Sequence, residues 1–193
     1  MNGSMTILPC QSSHPGNKPG NSVLTPKPGD RVLTLSLKEG TMEHSKYGDD
    51  FNPGDIFTTP AITVTETHVV NWAGLTMDFY PLHMDKEYAA KSPFKERLAH
   101  GPMIFGLAVG LVAMAGFAGD AAIAWLGVDN MRMHAPVKIG DTITVVVEVM
   151  KKRTTSDPTR GVQTWKYTVK NQRRETVMDL DYTMMFHMRG VES

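Results

Sequence analysis

Two side chains that can exchange protons stand close together in the stretch DFYPLH, residues 78–83. Asp78 and His83 are five positions apart, and a regular helix would point them roughly 140° away from each other. Pro81 has no backbone N–H and restricts Tyr80 to extended conformations, so the stretch predicts a bend. A bend can aim the carboxylate and the imidazole at one point, where they could act as general base and general acid.

Both residues also have ordinary structural explanations. A histidine in a bend can simply bond to the backbone, and an aspartate often stabilises a turn through its own side chain. The spacing of Asp78 and His83 therefore leaves a structural role open beside a catalytic one.

The tripeptide HGP, residues 100–102, predicts the start of a helix, because Pro102 suits a first helical turn. Backbone N–H groups there, that of Gly101 in particular, lack a partner within the helix and lie at the positive end of its dipole. Such a donor can stabilise a developing oxyanion, and glycine lets a ligand approach the backbone. A plain helix start is the alternative.

Three segments downstream alternate apolar and polar residues, as strands with one covered face do: DTITVVVEVMKKR, GVQTWKYTVKN and TVMDLDYTMMFHM. The turns DPTRG and NQRRE separate them, which predicts an antiparallel sheet. The apolar positions are Ile143, Val145, Val147, Val149, Trp165, Tyr167, Val169, Met178, Leu180, Tyr182, Met184 and Phe186.

Upstream, FTTPAITVT predicts a further strand, and Thr65 is a suitable N-cap for a helix with Val69, Trp72 and Ala73 on one face. Asp85 is a suitable N-cap for another short helix. The expected architecture is α+β, with an antiparallel sheet curled around the helix that starts at Gly101.

The segment from Gly101 to Gly119 carries no charge and is long enough to span a bilayer. Gly106 and Gly110 could then form a dimer face. The segment is only moderately apolar, however, and the strands that follow need a partner to cover them. We therefore expect a helix buried within a soluble domain rather than a membrane helix.

The chain of 193 residues has formal net charge zero, which gives no reason to expect nucleic acid or an anionic membrane as a partner. A single cysteine, Cys10, excludes an internal disulfide. Residues 1–45 are rich in Pro, Gly and Ser and predict a flexible leader, apart from one possible strand, RVLTLSL. This leader has no apolar signal-peptide core, so we expect a cytoplasmic protein with its folded domain at 46–193.

The stretch WAGLTMDFYPLHMDKEYAAKSPFKERLAHG resembles the hydratase motif of the MaoC-like dehydratase family, which includes the R-specific enoyl-CoA hydratases. That motif reads D-x-N-P-[apolar]-H, followed after a short helix by A-H-G. The later LGVDNMRMHAPVKIGDTITVVVEV is similar to the first strands after the family's central helix. The resemblance covers residues 47–188 and implies a hot-dog fold, acyl-CoA substrates and a homodimer, or a dimer of such dimers, with sites at the subunit interface.

By this resemblance Asp78 and His83 are the catalytic pair, and the Gly101 amide receives the thioester oxygen. The chain departs from the family at three positions that we expect to line the substrate pocket. Met77 stands where glycine is usual, Tyr80 where asparagine is usual, and Val109 where some members carry a serine. These changes argue against the usual straight-chain substrate, because a bulky Tyr80 beside the pair could reshape the pocket for a shorter or branched acyl group, or could fill it.

The implied reaction adds water to a 2-enoyl thioester, which needs a base for the water, an acid for C2 and a donor for the enolate oxygen. It needs no cofactor beyond the coenzyme A of the substrate. The chain has no metal-ligand spacing such as H-x-x-x-H, so no metal is expected. We expect the histidines outside this motif to be surface or structural residues: His14, His44, His68, His134 and His187.

Two other functions stay open: a thioesterase, and an acyl-CoA-binding protein without catalysis. The basic clusters Lys151–Arg153 and Arg173–Arg174 could meet the phosphates of coenzyme A, although charged strand ends in water are the commoner reason for such clusters. We therefore assign no residue to binding of coenzyme A.

Overall fold

The computed structural model describes residues 47–189. The predicted leader and the possible strand RVLTLSL lie outside these residues, as do His14 and His44. After a short 3-10 helix, Gly48–Asp50, the chain forms strands β1 and β2, helices α1 to α4, a second 3-10 helix and strands β3 to β6. The strands are β1 Ile56–Thr58, β2 Ile62–Thr63, β3 Ala122–Met133, β4 Thr142–Thr154, β5 Arg160–Asn171 and β6 Thr176–His187. The helices are α1 Glu66–Thr76, α2 Pro81–Met84, α3 Lys86–Lys91, α4 Gly101–Met114 and the 3-10 turn Gly119–Ala121.

The six strands form one antiparallel sheet in the order β1-β4-β5-β6-β3, with β2 also paired to β4. The prediction of an α+β architecture with an antiparallel sheet is confirmed. All twelve apolar positions predicted for β4, β5 and β6 are buried. The period-two pattern was reliable here because helix α4 and its neighbours cover one face of the sheet while the other face carries the polar residues.

Helix α4 is shorter than the uncharged segment that predicts it, because it ends at Met114 rather than near Gly119. Its buried residues are Met103, Ile104, Ala108, Leu111 and Val112, and they belong to the same core as the strands. The prediction of a core helix at this position is therefore confirmed. None of the helices between residues 47 and 189 has both the length and the apolar character that crossing a bilayer requires.

The prediction of a single strand over FTTPAITVT was wrong, because this segment forms two short strands, β1 and β2. Thr59, just after β1, is still hydrogen-bonded to β4. Its N–H donates to the Val145 carbonyl at 3.0 Å, and its Oγ1 accepts from the Val145 N–H at 2.9 Å. Pro60 then follows, and it has no N–H to continue the ladder. The pairing with β4 resumes only at Ile62.

Both predicted N-caps are found. Thr65 precedes α1, and its backbone N–H donates to His68 Nδ1 at 3.0 Å in a capping box. Asp85 precedes α3, and its carboxylate accepts from the N–H groups of Glu87 and Tyr88 at 2.8 and 3.0 Å. Helix α1 buries Val69 and Ala73 as expected.

Candidate active site

The bend predicted for DFYPLH lies between helices α1 and α2. Helix α1 ends at Thr76, and its C-cap Met77 adopts the left-handed conformation with φ 66° and ψ 14°. Asp78 follows, and its Oδ1 accepts from the Tyr80 N–H at 3.3 Å. Tyr80 is extended, with φ −56° and ψ 132°, as a residue before proline must be. Pro81 then opens the single turn of α2, which carries His83.

A second segment, just before helix α4, holds this bend in place. Leu98 pairs with Lys138, and the Ala99 N–H donates to the Val137 carbonyl at 2.9 Å. The Leu98 carbonyl faces His83, whose Nδ1 lies 2.8 Å away. Because a carbonyl oxygen only accepts, His83 Nδ1 must carry a proton. In its neutral form His83 therefore presents an unprotonated Nε2, which is the atom that can act as a base.

His100 joins the two segments. Its Nε2 lies 3.0 Å from the Asp78 carbonyl oxygen and 4.0 Å from Asp78 Oδ2, and its ring lies nearly face to face with that of His83 at a centroid distance of 3.9 Å. One nitrogen or carboxylate oxygen from each of Asp78, His83 and His100 falls within 4.8 Å of the other two. The structure thus brings the predicted pair together and adds a second imidazole.

The three residues differ in exposure. The Asp78 side chain is 44% exposed, His83 is half-buried, and the His100 side chain is fully buried. Burial lowers the pKa of His100, and the nearby His83 lowers it further, against the opposing effect of the bond to the Asp78 backbone. His100 is therefore a neutral imidazole at pH 7, while Asp78 and His83 remain accessible to a ligand.

Such a cluster also raises the possibility of a metal ion, which the sequence did not predict. Zn²⁺ needs each ligand atom at about 2.0–2.2 Å. Two imidazoles stacked at an interplanar angle of 30° direct their in-plane lone pairs along nearly parallel planes, which is poorly suited to one shared ion. His83 Nδ1 and His100 Nε2 are moreover already bonded to backbone carbonyls.

Gly101 directly follows His100 and is the first residue of α4. No residue between 47 and 189 accepts a hydrogen bond from its N–H, as expected for a helix start. Its φ is not positive, and a Cβ built on it would lie 3.8 Å from Met133 Cγ, an ordinary contact. Neither backbone strain nor packing inside this chain requires glycine here.

The three predicted pocket residues lie in different places. Tyr80 is at the bend, with its ring centroid 6.1 Å from that of His83 and its hydroxyl 3.3 Å from the Tyr88 hydroxyl. Met77 is 79% exposed. Val109 lines a cavity of about 370 Å³ between α4 and the sheet, whose lining includes Tyr167 and Tyr182 but not Asp78, His83 or His100.

The basic clusters are partly engaged in structural contacts. Lys152 donates to the Asp49 and Phe51 carbonyls at 3.3 and 3.2 Å. Arg173 pairs with Asp141 and Glu175 at 3.1 and 3.0 Å. The remaining members, Lys151, Arg153 and Arg174, are exposed and form no ion pair within residues 47–189. These clusters therefore carry no site assignment.

His100 is the site residue that sequence reasoning missed. It appeared only in the tripeptide HGP and in the A-H-G of the family motif, with no role assigned to it. It was also absent from the histidines assigned to surface or structure. The contact between residues 78, 83 and 100 is tertiary, and spacing along the chain does not reveal it. The signal that could have found it is its position next to Gly101, at the predicted oxyanion donor.

Among curated proteins, the chain is similar to protein MaoC of Klebsiella aerogenes, with 38% identity over 67% of this chain and 40% of that protein. It is also similar to an (R)-specific enoyl-CoA hydratase of Rhodospirillum rubrum, with 35% identity over 53% of this chain and 69% of the hydratase. The chain therefore spans less than half of the first relative and about two thirds of the second.

The chain is also similar to solved structures. The chain matches a monoamine oxidase regulatory protein of Archaeoglobus fulgidus with TM-score 0.68 and 36% identity, over 74% of this chain and 94% of that one. A conserved hypothetical protein of Mycobacterium tuberculosis with a double hot-dog fold matches with TM-score 0.66 and 22% identity, over 74% of this chain and 44% of that one. The fold is a hot-dog fold, as the resemblance implied.

The family model for the MaoC-like domain matches residues 50–171, which contain the bend, His100 and the whole of helix α4. This range is more than half of the chain. The chain belongs to the family of MaoC-like domains.

Proposed function

We propose that the protein is a hydratase or dehydratase acting on the 2,3-double bond of an acyl-CoA thioester. One observation carries the proposal: Asp78 and His83 lie together against His100, the residue that immediately precedes the unpaired amide of Gly101. The reaction needs two proton-transfer groups and one donor to an oxyanion, and this arrangement offers all three. The name of the Rhodospirillum rubrum relative supports the same reaction.

Proton transfer is assigned to Asp78 and His83. In the hydration direction, Asp78 or the unprotonated Nε2 of His83 takes a proton from water while the water oxygen bonds to C3. The electrons of the double bond move to the thioester as an enolate. The protonated group of the pair then returns a proton to C2, so that water is added with no net change in the protein.

The Gly101 N–H is assigned to the thioester oxygen. It is the first donor of α4 and lies at the positive end of the helix dipole, where negative charge is stabilised. A glycine that neither strain nor packing requires is understandable if the substrate must approach the backbone at that point. The reaction so described uses no metal and no cofactor other than the coenzyme A of the substrate.

Tyr80, Met77 and Val109 remain our proposed pocket residues, with Val109 the most remote, since the cavity that it lines does not include Asp78, His83 or His100. Tyr80 is the best placed, because its ring stands beside His83 at the open side of the pair. A tyrosine there leaves less room beside the reacting carbons than an asparagine. We therefore propose a short or branched acyl group rather than a long straight chain.

We further propose that the protein acts as a homodimer. Strand β3 lies at one edge of the sheet, and an edge strand with apolar side chains is a natural pairing surface. Its exposed large apolar residues are Ile123, Trp125, Leu126, Met131 and Met133. Met133 also faces Gly101, so a partner at this edge would lie close to the proposed site.

A panel of straight, branched and dicarboxylic enoyl-CoA thioesters, followed by mass spectrometry, tests the function. A product heavier by one water supports the proposal, and Asp78→Asn protein should form it about 10²–10⁴-fold more slowly. Release of free coenzyme A would instead identify a thioesterase. Thioesters that are bound but unchanged across the panel would identify a binding protein and overturn the proposal.

A further inference from the structure

His100 stands out because its imidazole is buried within a cluster that otherwise faces the solvent. The side chain has no exposed surface, and Nε2 lies 3.0 Å from the Asp78 carbonyl oxygen. That oxygen can only accept, so Nε2 carries the proton and Nδ1 carries a lone pair. Among the described residues, Nδ1 of His100 is the buried side-chain atom that has no hydrogen-bond partner.

An unpaired buried acceptor is destabilising, and buried polar atoms normally have partners. An apolar ring at position 100 would avoid this unpaired acceptor, but it would lose the bond to the Asp78 carbonyl. The imidazole is therefore better explained by what its other atoms do. Nε2 holds the backbone of the first member of the pair, Asp78, while the ring face supports the second, His83, at a centroid distance of 3.9 Å.

The two contacts of His100 restrict the orientations of Asp78 and His83, which their other hydrogen bonds do not fully determine. The Leu98 carbonyl fixes one nitrogen of His83 at 2.8 Å, but a single bond still lets the ring tilt. The face of His100 limits that tilt. Asp78 sits in an open bend with its side chain 44% exposed, and His100 anchors it through its main chain.

We propose that His100 is a positioning residue: as a neutral imidazole protonated on Nε2, it aligns Asp78 with His83 next to the Gly101 amide. This role rests on the hydratase function proposed above. His100 touches neither water nor thioester in this role, because its ring is fully covered. A neutral ring also suits the position, because a positive charge on His100 would oppose proton uptake by the adjacent His83.

Three substitutions separate the two contacts. His100→Gln keeps an N–H for the Asp78 carbonyl but removes the ring, His100→Phe keeps the ring but removes the donor, and His100→Ala removes both. A small displacement of catalytic groups can cost about 10²-fold in rate. We expect His100→Ala to lower kcat by about that factor at nearly unchanged KM, and Gln and Phe each to restore part of the loss.

His134→Gln is the matched control, because this histidine pairs with Asp179 at 3.0 Å in a half-exposed position outside the cluster. It should leave kcat unchanged. The proposal is overturned if His100→Ala turns over normally. It is also overturned if Gln and Phe are no better than Ala, or if activity follows only the folded fraction measured by circular dichroism.

A measurement without substrate separates this proposal from the function on which it rests. In ¹⁵N NMR spectra at pH 7, His100 should show a protonated Nε2 and an unprotonated Nδ1, and its Nε2 proton should exchange slowly. The His83 signals should broaden or shift in His100→Ala protein. If the wild type hydrates no thioester but shows these signals, the function fails and the positioning stands. A charged His100, or the opposite tautomer, contradicts the positioning itself.

Discussion

Asp78 and His83 are proposed to share one water, and each should therefore be of little use without the other. General acid–base groups typically contribute about 10²–10⁴-fold, and we expect Asp78→Asn and His83→Ala each to lower turnover by a factor in that range. The double variant should lose far less than the product of the two, because groups that act as a unit are not additive. Steady-state kinetics of the four proteins measure this.

Folding should change little in Asp78→Asn, since the asparagine oxygen can still accept from the Tyr80 N–H at 3.3 Å. Thermal melts are the control. If both single variants keep near-normal turnover and melt earlier, then the two residues only stabilise the bend.

Gly101 allows catalysis and stability to be separated. In Gly101→Ala the new methyl group would lie 3.8 Å from Met133 Cγ and would strain nothing, so the melting temperature should stay level or rise slightly. If the thioester oxygen approaches this amide, the methyl group should obstruct it. Loss of one oxyanion donor costs about 10²–10³-fold, and we expect kcat/KM to fall toward that range. Unchanged kinetics would remove Gly101 from the site.

Met77 occupies a backbone conformation that favours glycine, with φ 66°, and the residue is 79% exposed. The left-handed conformation costs a non-glycine residue about 1–2 kcal/mol, against about 0.5–1 kcal/mol for the greater unfolded-state freedom of glycine. We expect Met77→Gly to raise the free energy of unfolding by about 0.5–1 kcal/mol. Urea titration measures it.

The matched control is Leu75→Gly, at an exposed position inside α1 where glycine should destabilise by about 1 kcal/mol. If Met77→Gly also destabilises, then its side chain contributes contacts that outweigh the strain. A raised KM in the variant would support its place in the substrate pocket.

At the scale of elements, Asp141 links the entry of β4 to the turn between β5 and β6. Its buried carboxylate accepts from the Lys138 N–H at 2.9 Å, from Gln172 at 2.6 Å and from Arg173 at 3.1 Å. Burial acts to raise the pKa of Asp141, but these hydrogen bonds together hold it below its ordinary value. A depressed pKa means that the group stabilises the fold above the unfolded pKa of about 3.9, and that this contribution is lost as the pH falls below it.

We expect Asp141→Asn to lower the free energy of unfolding at pH 7 by about 1–3 kcal/mol, because charged hydrogen bonds are lost. The difference from the wild type should begin to shrink below about pH 5 and keep shrinking as the pH falls through the lowered pKa of Asp141. Denaturant titrations from pH 7 down through this range test it, with Asp129→Asn, at an exposed position outside this network, as the matched control. A constant difference at all pH values would mean that the charge of Asp141 is not what matters.

The elements that could be predicted from the sequence are those with one face packed against the core and the other face toward solvent. Strands β4 to β6 alternate cleanly because one face is covered, so their periodicity carries the information. Strand β3 does not alternate. It is an edge strand, exposed along most of its length and interrupted by three register shifts against β6, and only the family resemblance pointed to it. The bend could be predicted from Pro81, whereas the position of His100 depends on tertiary packing.

At the scale of the whole molecule, the edge strand β3 is the expected contact between two copies. We expect the wild type to sediment as a dimer at micromolar concentration. Leu126→Glu should sediment as a monomer, because like charges would meet across a two-fold interface. Met150→Glu is the control, since Met150 is similarly exposed on β4 (41% against 49%) but lies away from this edge. A monomeric wild type would contradict the proposed assembly.

The two ends of the described domain meet at one corner of the sheet. The Arg189 guanidinium lies 4.9 Å over the ring of Tyr47 and pairs with Asp50. The backbone N–H of Arg189 donates to Asp49 Oδ2 at 2.8 Å. Gly48 is pressed against the end of β6, where a Cβ would come within 2.7 Å of Phe186. A short linker could therefore join residues 47 and 189, and new ends could be opened in an exposed loop. The domain is thus suited to circular permutation, in which the order of its elements along the chain changes while their arrangement in space is kept.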